Sequence, residues 1–431
     1  MSELPVRSFL QALQSAGERL KSHGPASQPA RDALVALAQA AQVLTTAGPE
    51  VVLTLSDGAL YFGPKMLPHA TVEFNGMIGG MSRMGIDSVT VTRDAHPGDL
   101  ADLAGVISGT SGDLPVGGTV RLNERPIAES DLDRSPVSGL RKTYSASLDT
   151  LRDLGAGGRL DMGQVIGIVE GFIGSSAASS LMMATVRNYD ETTYYHSVNV
   201  CLLSMTIGNG IGLGDDDLRH LAAGALLHDL GRVLLGEAAL SKKGSLTSED
   251  WAQVRLHPQE GAQAILAASG PGQEIAAAIA LEHHARMDGD GYPDLMGRTP
   301  HPFSRIVAIA DAYDAITSRR PHRPARTPLE AMRILGEGAG TAFDPAVVTA
   351  FLHLMGEYPP GSMFRIESGE VVVVTGGGQG APPSGLIVRD REGRTLAEPQ
   401  PVDLDNQKMV GVVLPEDAGI DPAELLEAVE G

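Results

Sequence analysis

The chain has 431 residues, 42% of them hydrophobic, which is enough for sizeable cores and predicts two to four domains. Its 53 acidic residues outnumber 33 basic ones for a net charge of −20, and with no long Lys/Arg run it lacks the basic footprint that duplex nucleic acid or an anionic membrane surface requires. A single cysteine, Cys201, precludes an internal disulfide, and without an N-terminal apolar segment or an apolar run of about 18 residues the chain is expected to be cytoplasmic. In chain order, residues 5–22 and 29–46 carry apolar residues at helical spacing, and Gly48-Pro49 stops the second segment. Residues 51–62 alternate about Asp57-Gly58, the pattern of a two-residue hairpin. A Met- and Gly-rich helix at about 71–84, a strand at 86–91, a helix at about 98–108 and a strand at 119–123 complete an α+β unit of residues 1–134. Met77, Met81 and Met84 sit at the spacing of a helix core face rather than a groove. No catalytic constellation occurs there, so this unit is expected to regulate the chain or to hold it as a homodimer.

Ser135-Pro136 reads as a helix N-cap followed by proline at the first helical position, and opens a helical region of residues 135–355. A connecting helix at 136–154 precedes a Gly- and Ala-rich helix at 162–185. The next helix holds His196 and runs to about 210; another starts at Asp215, Asp216 or Asp217 and carries His228-Asp229 near its end. Residues 248–269 hold His257, residues 271–285 end in His283-His284, and after the loop DGDGYP a helix at 302–318 holds Asp311. Beyond Pro359-Pro360 the pattern changes to short strands, MFRIE, GEVVVVT, SGLIVRD and KMVGVVL, with a last helix near 421–429. The run TGGGQG at 375–380 lacks GK[ST] and precedes Pro382-Pro383, so it reads as a loop. The expected fold class is therefore multidomain and mainly α: an all-α helical domain, an α+β N-terminal domain, and a small β-rich C-terminal extension at 356–431.

Seven candidate ligands fall in the helical region: His196, His228, Asp229, His257, His283, His284 and Asp311. A lone histidine on an apolar helix is a core or boundary residue, the reading given to His220 and His353. Five imidazoles and two carboxylates buried together would cost several kcal/mol per unpaired group, and a shared cation removes that cost. The donors are hard or borderline N and O with no Cys, which suits Fe or Mn in roughly octahedral geometry. Consecutive helical residues project about 100° apart, so His283 and His284 are expected to serve two neighbouring ions rather than to chelate one.

The motifs HSVNV at 196–200, LLHDLGR at 226–232, LHPQEG at 256–261, HHARMDGDGYP at 283–293 and RIVAIADAYDAITSRRPHR at 305–323 together resemble the HD-GYP family, a branch of the HD phosphohydrolases, over about residues 160–355. The resemblance implies an all-helical, metal-dependent phosphodiesterase that hydrolyses bacterial cyclic di-GMP to pGpG and, with further turnover, GMP. It implies one metal on His196, His228, Asp229 and Asp311, and a second on His257, His283, His284 and a bridging Asp229. Such a pair, about 3.5 to 4 Å apart, activates a bridging water and clamps a phosphodiester. Asp229 and Arg232 are the catalytic candidates, and Arg232 stands where the family often has lysine. Arg286, Asp288, Tyr292, Arg320 and Arg323 are the substrate-binding candidates; the last two lie in RRPHR, which resembles the family's phosphate-contacting segment, and guanidinium forks suit phosphate. His322 replaces the family's tyrosine there. In DGDGYP, Gly289 and Gly291 are expected to adopt backbone conformations closed to other residues, and in the family this loop is linked to signalling-protein partners. Some members bind a third metal through a glutamate four residues before the first histidine; here that position is Thr192, with Glu191 about 100° away, so two ions are expected. Two alternatives remain open: a metal-bound, catalytically weak sensor of cyclic dinucleotides, and a hydrolase of another cyclic dinucleotide or of nucleotides.

Overall fold

The computed structural model describes residues 4–56, 59–63, 65–67, 70–71, 74–110, 118–124, 136–185, 192–235, 247–318, 325–378, 381–420 and 425. The chain divides into two compact units, Met1–Asp149 and Thr150–Gly431, so the division falls inside the connecting helix and the C-terminal strands group with the helical region.

In the first unit, helices α1 (Leu4–His23) and α2 (Gln28–Leu44) pack their apolar faces, including Phe9, Leu13 and Leu37, into one core with the sheet residues Leu53, Val89 and Val91. Ser27 caps α2 by accepting the Ala30 N–H. Strands β1 (Glu50–Ser56) and β2 (Ala59–Phe62) pair antiparallel with Ser56 opposite Ala59, as a two-residue turn demands; Asp57 and Gly58 themselves lie outside the described residues. With β3 (Lys65–Met66), helix α3 (Asn75–Arg83), β4 (Ser88–Thr92), helix α4 (Pro97–Ser108) and β5 (Val120–Leu122) the sheet order is β3-β2-β1-β4-β5. Met81 is buried, but Met84 lies past the last turn of α3 and is 46% exposed, so the methionine row is only partly a core face.

Helix α5 (Pro136–Gly155) spans the division, and its expected cap, Ser135, lies outside the described residues. The single helix expected at 162–185 is broken into α6 (Met162–Val169) and α7 (Ala177–Met183), because Gly174 turns left-handed at φ 87° and Ser176 caps a new start. Next come α8 (Thr192–Gly210), α9 (Asp215–Leu227) and α10 (Leu230–Leu235). The helix expected at 248–269 is also two, α11 (Ser248–Val254) and α12 (His257–Leu266), since Pro258 has no N–H to continue a helix but fits a first turn. Helices α13 (Gln273–Glu282), α14 (Pro302–Thr317), α15 (Pro328–Glu337) and α16 (Pro345–Met355) follow. Helix α8 packs on α9 and α14, while α12 packs on α10 and α13, which gathers all the histidine-bearing segments.

The C-terminal strands β6 (Met363–Ile366), β7 (Val371–Gly378), β8 (Ala381–Arg389), β9 (Thr395–Asp403) and β10 (Met409–Val413) form an antiparallel sheet ordered β10-β6-β7-β8-β9, followed by the short helix α17 (Pro415–Ala418). Val371 and Val373 enter one apolar cluster and Val372 and Val374 another, so both faces of this strand are covered. Two features differ from the sequence reading. Strand β9 escaped it because Pro399 and Pro401 mask its pattern; its place at the sheet edge tolerates them. Gly376–Gly378 extend β7 through register shifts rather than looping, and Gln379-Gly380 lie outside the described residues, as do most of residues 421–429. No single described helix is long and apolar enough to cross a membrane.

Two local contacts fix the helices that carry the candidate site, and each yields a test. A Cβ on Gly231 would lie 2.0 Å from the His257 carbonyl oxygen and 2.9 Å from the Gly261 nitrogen, so α10 and α12 meet backbone to backbone. Gly231→Ala is expected to force them apart, costing about 1 to 3 kcal/mol and lowering metal content by displacing His257, as thermal melts and elemental analysis would register. Asp344 caps α16, accepting the Ala346 and Val347 N–H groups, and takes a 2.6 Å ion pair from Arg305 of α14. Burial opposes its ionisation, yet Arg305 and the two amides outweigh it and hold the carboxyl below its ordinary value. Because the folded value is depressed, its contribution is present above the unfolded pKa of about 4 and is lost as pH falls below it. Asp344→Asn should therefore cost about 2 kcal/mol near neutrality, with the difference from wild type narrowing below about pH 4 in denaturant titrations.

Candidate metal centre

All seven candidate ligands lie within the described residues and converge in two groups: His196, His228 and Asp311, and Asp229, His257, His283 and His284. In the first, His196 Nε2 lies 3.0 Å from Asp311 Oδ1, bringing α8 against α14. In the second, His257 Nε2 and His283 Nε2 face each other at 3.2 Å. Asp229 stands between the groups. Its Oδ1 is 3.2 Å from His257 Nε2 and 3.6 Å from His283 Nε2, while Oδ2 is 3.7 Å from His228 Nε2 and 3.9 Å from His196 Nε2.

The local backbone explains these positions. His228 and His283 are the residues that end α9 and α13, and His257 opens α12 just after α11. Each ring donates Nδ1–H to a carbonyl three residues back: Ala225 at 2.7 Å, Val254 at 2.5 Å and Ala280 at 2.8 Å. Those carbonyls lack helical partners because the helices stop there. His196 sits inside α8, where that route is closed, and its Nδ1 instead pairs with Asp314 Oδ2 at 2.7 Å. His283 and His284 fall in one group, their ring centroids 4.0 Å apart, contrary to the expectation from helical projection. His283 itself keeps helical dihedrals and its N–H bond to Ile279, and the two rings converge in the turn that closes α13.

With Nδ1 donating, the Nε2 atoms of His228, His257 and His283 are lone pairs aimed into the cluster. Two such lone pairs 3.2 Å apart repel unless a cation or proton lies between or beside them. His228 Nε2 and both Asp229 oxygens are buried without a hydrogen bond of normal geometry among the described residues, although ring nitrogens surround the carboxylate. Burial pushes His228 down to about 4 and lowers His257, so both are neutral near neutral pH. Burial opposes ionisation of Asp229 and Asp311, but Arg232 and His228 around the first and His196 beside the second hold both well below the carboxylate range. Burial likewise opposes a charge on His196, and Asp311 and Asp314 outweigh it, raising that ring to about 9. The neutral rings of His228 and His257, the ionised carboxylates and the orphaned buried acceptors are what a divalent cation needs, and an ion at the first group would take the place of the proton that Asp311 and Asp314 hold on His196.

Above the cluster, Arg232 reaches Asp229 Oδ2 with Nη1 at 3.2 Å and His284 Nε2 with Nη2 at 3.2 Å. Tyr292 lies against His284, with ring centroids 4.7 Å apart, and Arg255 caps the tyrosine ring at 5.4 Å. Arg286 and Asp288 pair with each other at the exposed rim, Nε to Oδ1 at 3.0 Å. Of the two loop glycines only Gly289 has a positive φ, 84°; Gly291 is required by crowding, since a Cβ there would lie 2.5 Å from the Arg286 nitrogen and the His284 oxygen. Arg320, Arg323, His322 and Glu191 lie outside the described residues, and Thr192 opens α8.

Three residues were missed in the sequence. Asp314 was signalled by its i, i+3 spacing from Asp311, which puts both carboxylates on one helix face. Glu282 accepts the His301 N–H at 2.7 Å and the Ser304 hydroxyl at 2.9 Å, tying the end of α13 to the start of α14 and so His283 to Asp311. Arg255 had no local signal, because the turn that presents it separates two helices expected to be one.

Comparison with known proteins agrees with this geometry. Residues 180–347 match the model of the HD domain family. The chain is 38% identical over 195 residues to the cyclic di-GMP phosphodiesterase PA4108 of Pseudomonas aeruginosa, covering 45% of this chain and 47% of that protein. It is 34% identical over 200 residues to a cyclic di-GMP phosphodiesterase of Thermotoga maritima, covering 46% and 54%. It is also 34% identical over 156 residues to the 3'3'-cGAMP-specific phosphodiesterase 3 of Vibrio cholerae, covering 36% and 34%. The first two matches span about half the length of the relatives concerned. With the paired histidines, the His-Asp doublet and the GYP loop gathered in one helical domain, residues 180–347 are similar to the HD domain family and to the cyclic-dinucleotide phosphodiesterases that match the same region.

Proposed function

We propose that the chain is a metal-dependent phosphodiesterase that opens cyclic di-GMP to linear pGpG. The observation that carries this reading is the buried Asp229 carboxylate, with one oxygen toward each histidine group. A carboxylate so shared suits two ions, and the all-N,O donor set favours Fe or Mn. When bound, such a pair supplies a hydroxide nucleophile and neutralises the phosphodiester charge.

The protein's own groups have separable tasks in this reading. His196, His228 and Asp311 would hold one ion and His257, His283 and His284 the other, with Asp229 available to both groups. The Nδ1 bonds lock each ring so that its Nε2 lone pair points inward. Arg232 is positioned to stabilise charge on the phosphate, and Arg320 and Arg323 grip it from the segment after α14. Tyr292, with Arg286 and Asp288 at the rim, shapes the mouth that receives the bases. The first unit regulates or dimerises the chain, and the GYP loop offers a surface to a signalling partner. A second substrate reading, hydrolysis of a mixed cyclic dinucleotide, is favoured by the similarity to a cGAMP-specific relative. Cyclic di-GMP is preferred because the relative at 38% identity carries that name.

Protein loaded with Mn or Fe is expected to linearise cyclic di-GMP faster than other members of a cyclic-dinucleotide panel, by chromatography of products. The double variant His228→Ala/Asp229→Ala should lose both metal and turnover; normal turnover would sink the assignment, and tight binding without turnover in wild type would favour a sensor. Arg320→Ala/Arg323→Ala should weaken substrate binding at least about tenfold at unchanged metal content, since each guanidinium makes charge-assisted bonds to phosphate. Loss of metal instead would mean that these arginines hold the fold.

A further inference from the structure

We infer that the two metal positions are unequal: the one at His196, His228 and Asp311 binds its ion tightly and fills first, while Arg232 holds the second position and must be displaced by the incoming ion. This rests on the dinuclear reading above and concerns the order and strength of filling.

The positions differ first in charge. The group of His196, His228 and Asp311 has its carboxylate nearest to His196, Asp311 Oδ1 at 3.0 Å against 3.6 Å from Asp311 Oδ2 to His284 Nδ1, and a second carboxylate, Asp314, stands behind His196 at 2.7 Å. A carboxylate on the outer nitrogen makes an imidazole a stronger donor than a carbonyl does. The other group offers three imidazoles with Asp229, whose second oxygen is turned toward the first group, and it has no carboxylate behind the outer nitrogen of His257 or His283. Two of those imidazoles, His257 and His283, lean only on backbone carbonyls.

The Arg232–His284 contact weakens the second position further. Arginine can only donate, so His284 Nε2 must be the accepting nitrogen and Nδ1 must carry the proton. A metal at Nε2 would need the lone pair that Arg232 now uses. A metal at Nδ1 would move the ring proton to Nε2, setting N–H against N–H across 3.2 Å. By either nitrogen, ligation of His284 breaks its bond to Arg232. The same guanidinium also pairs with Asp229 Oδ2, an oxygen that keeps a second lone pair for the first position. Displaced from His284, the guanidinium is free to turn toward a substrate phosphate, which couples second-metal binding to substrate capture.

The test is a stepwise Mn(II) titration of the metal-free full-length chain, read by calorimetry and by electron paramagnetic resonance of isolated and spin-coupled ions. Wild type should bind two ions in steps separated at least about tenfold, on the scale of outer-shell effects on metal affinity. His257→Ala should keep the tight step alone. Asp314→Asn, which retains an acceptor for Nδ1 but not the charge, should weaken the tight step about 10- to 100-fold. Arg232→Gln should tighten the weak step about tenfold by removing a neighbouring positive charge, leaving the tight step in place. Two equal steps in wild type, or an unchanged or weaker second step in Arg232→Gln, would overturn the inference while leaving a dinuclear site intact. A wild-type chain that binds no Mn(II) would overturn the dinuclear reading itself.

Discussion

The helical unit depends on one buried carboxylate. Asp229 is 1% exposed, and ring nitrogens from α8, α12 and the ends of α9 and α13 lie within 3.9 Å of it. An isolated carboxylate at such depth costs several kcal/mol, so the surrounding helices must be arranged to compensate it. Arg232, three residues on, supplies one positive partner from the same turn. The remaining compensation is geometric: five imidazoles and Asp311 gather around it with ligand atoms close enough to hold cations.

That orientation is built from helix ends. Three histidines use carbonyls left free where helices stop, so the features that terminate α9, α11 and α13 also aim the rings. Close approach at Gly231 and Gly261 lets α10 and α12 meet, and Glu282 links α13 to α14. His196 is the exception in mid-helix, and the protein answers with Asp314 instead of a carbonyl. The two groups differ in what stands behind their rings, a carboxylate for His196 and carbonyls for His257 and His283, and the guanidinium of Arg232 rests on His284.

The comparisons and the geometry bear on different scales. The match to HD domains covers residues 180–347, which contain every candidate ligand. Neither the N-terminal α+β unit nor the C-terminal sheet falls within it. The first unit has a single apolar core and no cluster of metal-ligating side chains among its described residues. The C-terminal sheet has two small apolar clusters, one on each face of β7.

Much of this was legible in the sequence, because the determining signals are local. Hydrophobic periodicity placed α1, α2, α8 and α14, an Asp-Gly pair fixed the register of β1 against β2, and the spacing of seven His and Asp residues marked the metal-binding region. Sequence failed where a single backbone event overrides a periodic pattern: the left-handed turn at Gly174, the break ahead of Pro258, and the prolines that conceal edge strand β9. It failed also at the site, where helical projection separated His283 from His284, whose rings converge in the turn that closes α13. The residue types that favour a cation are written in the chain. Which nitrogen of His228, His257 and His283 faces it is set locally, by a carbonyl three residues back, once the helices stop where they do. That Asp229 presents one oxygen to each group and that Arg232 rests on His284 were decided only by the tertiary structure, because those contacts join helices far apart in the chain.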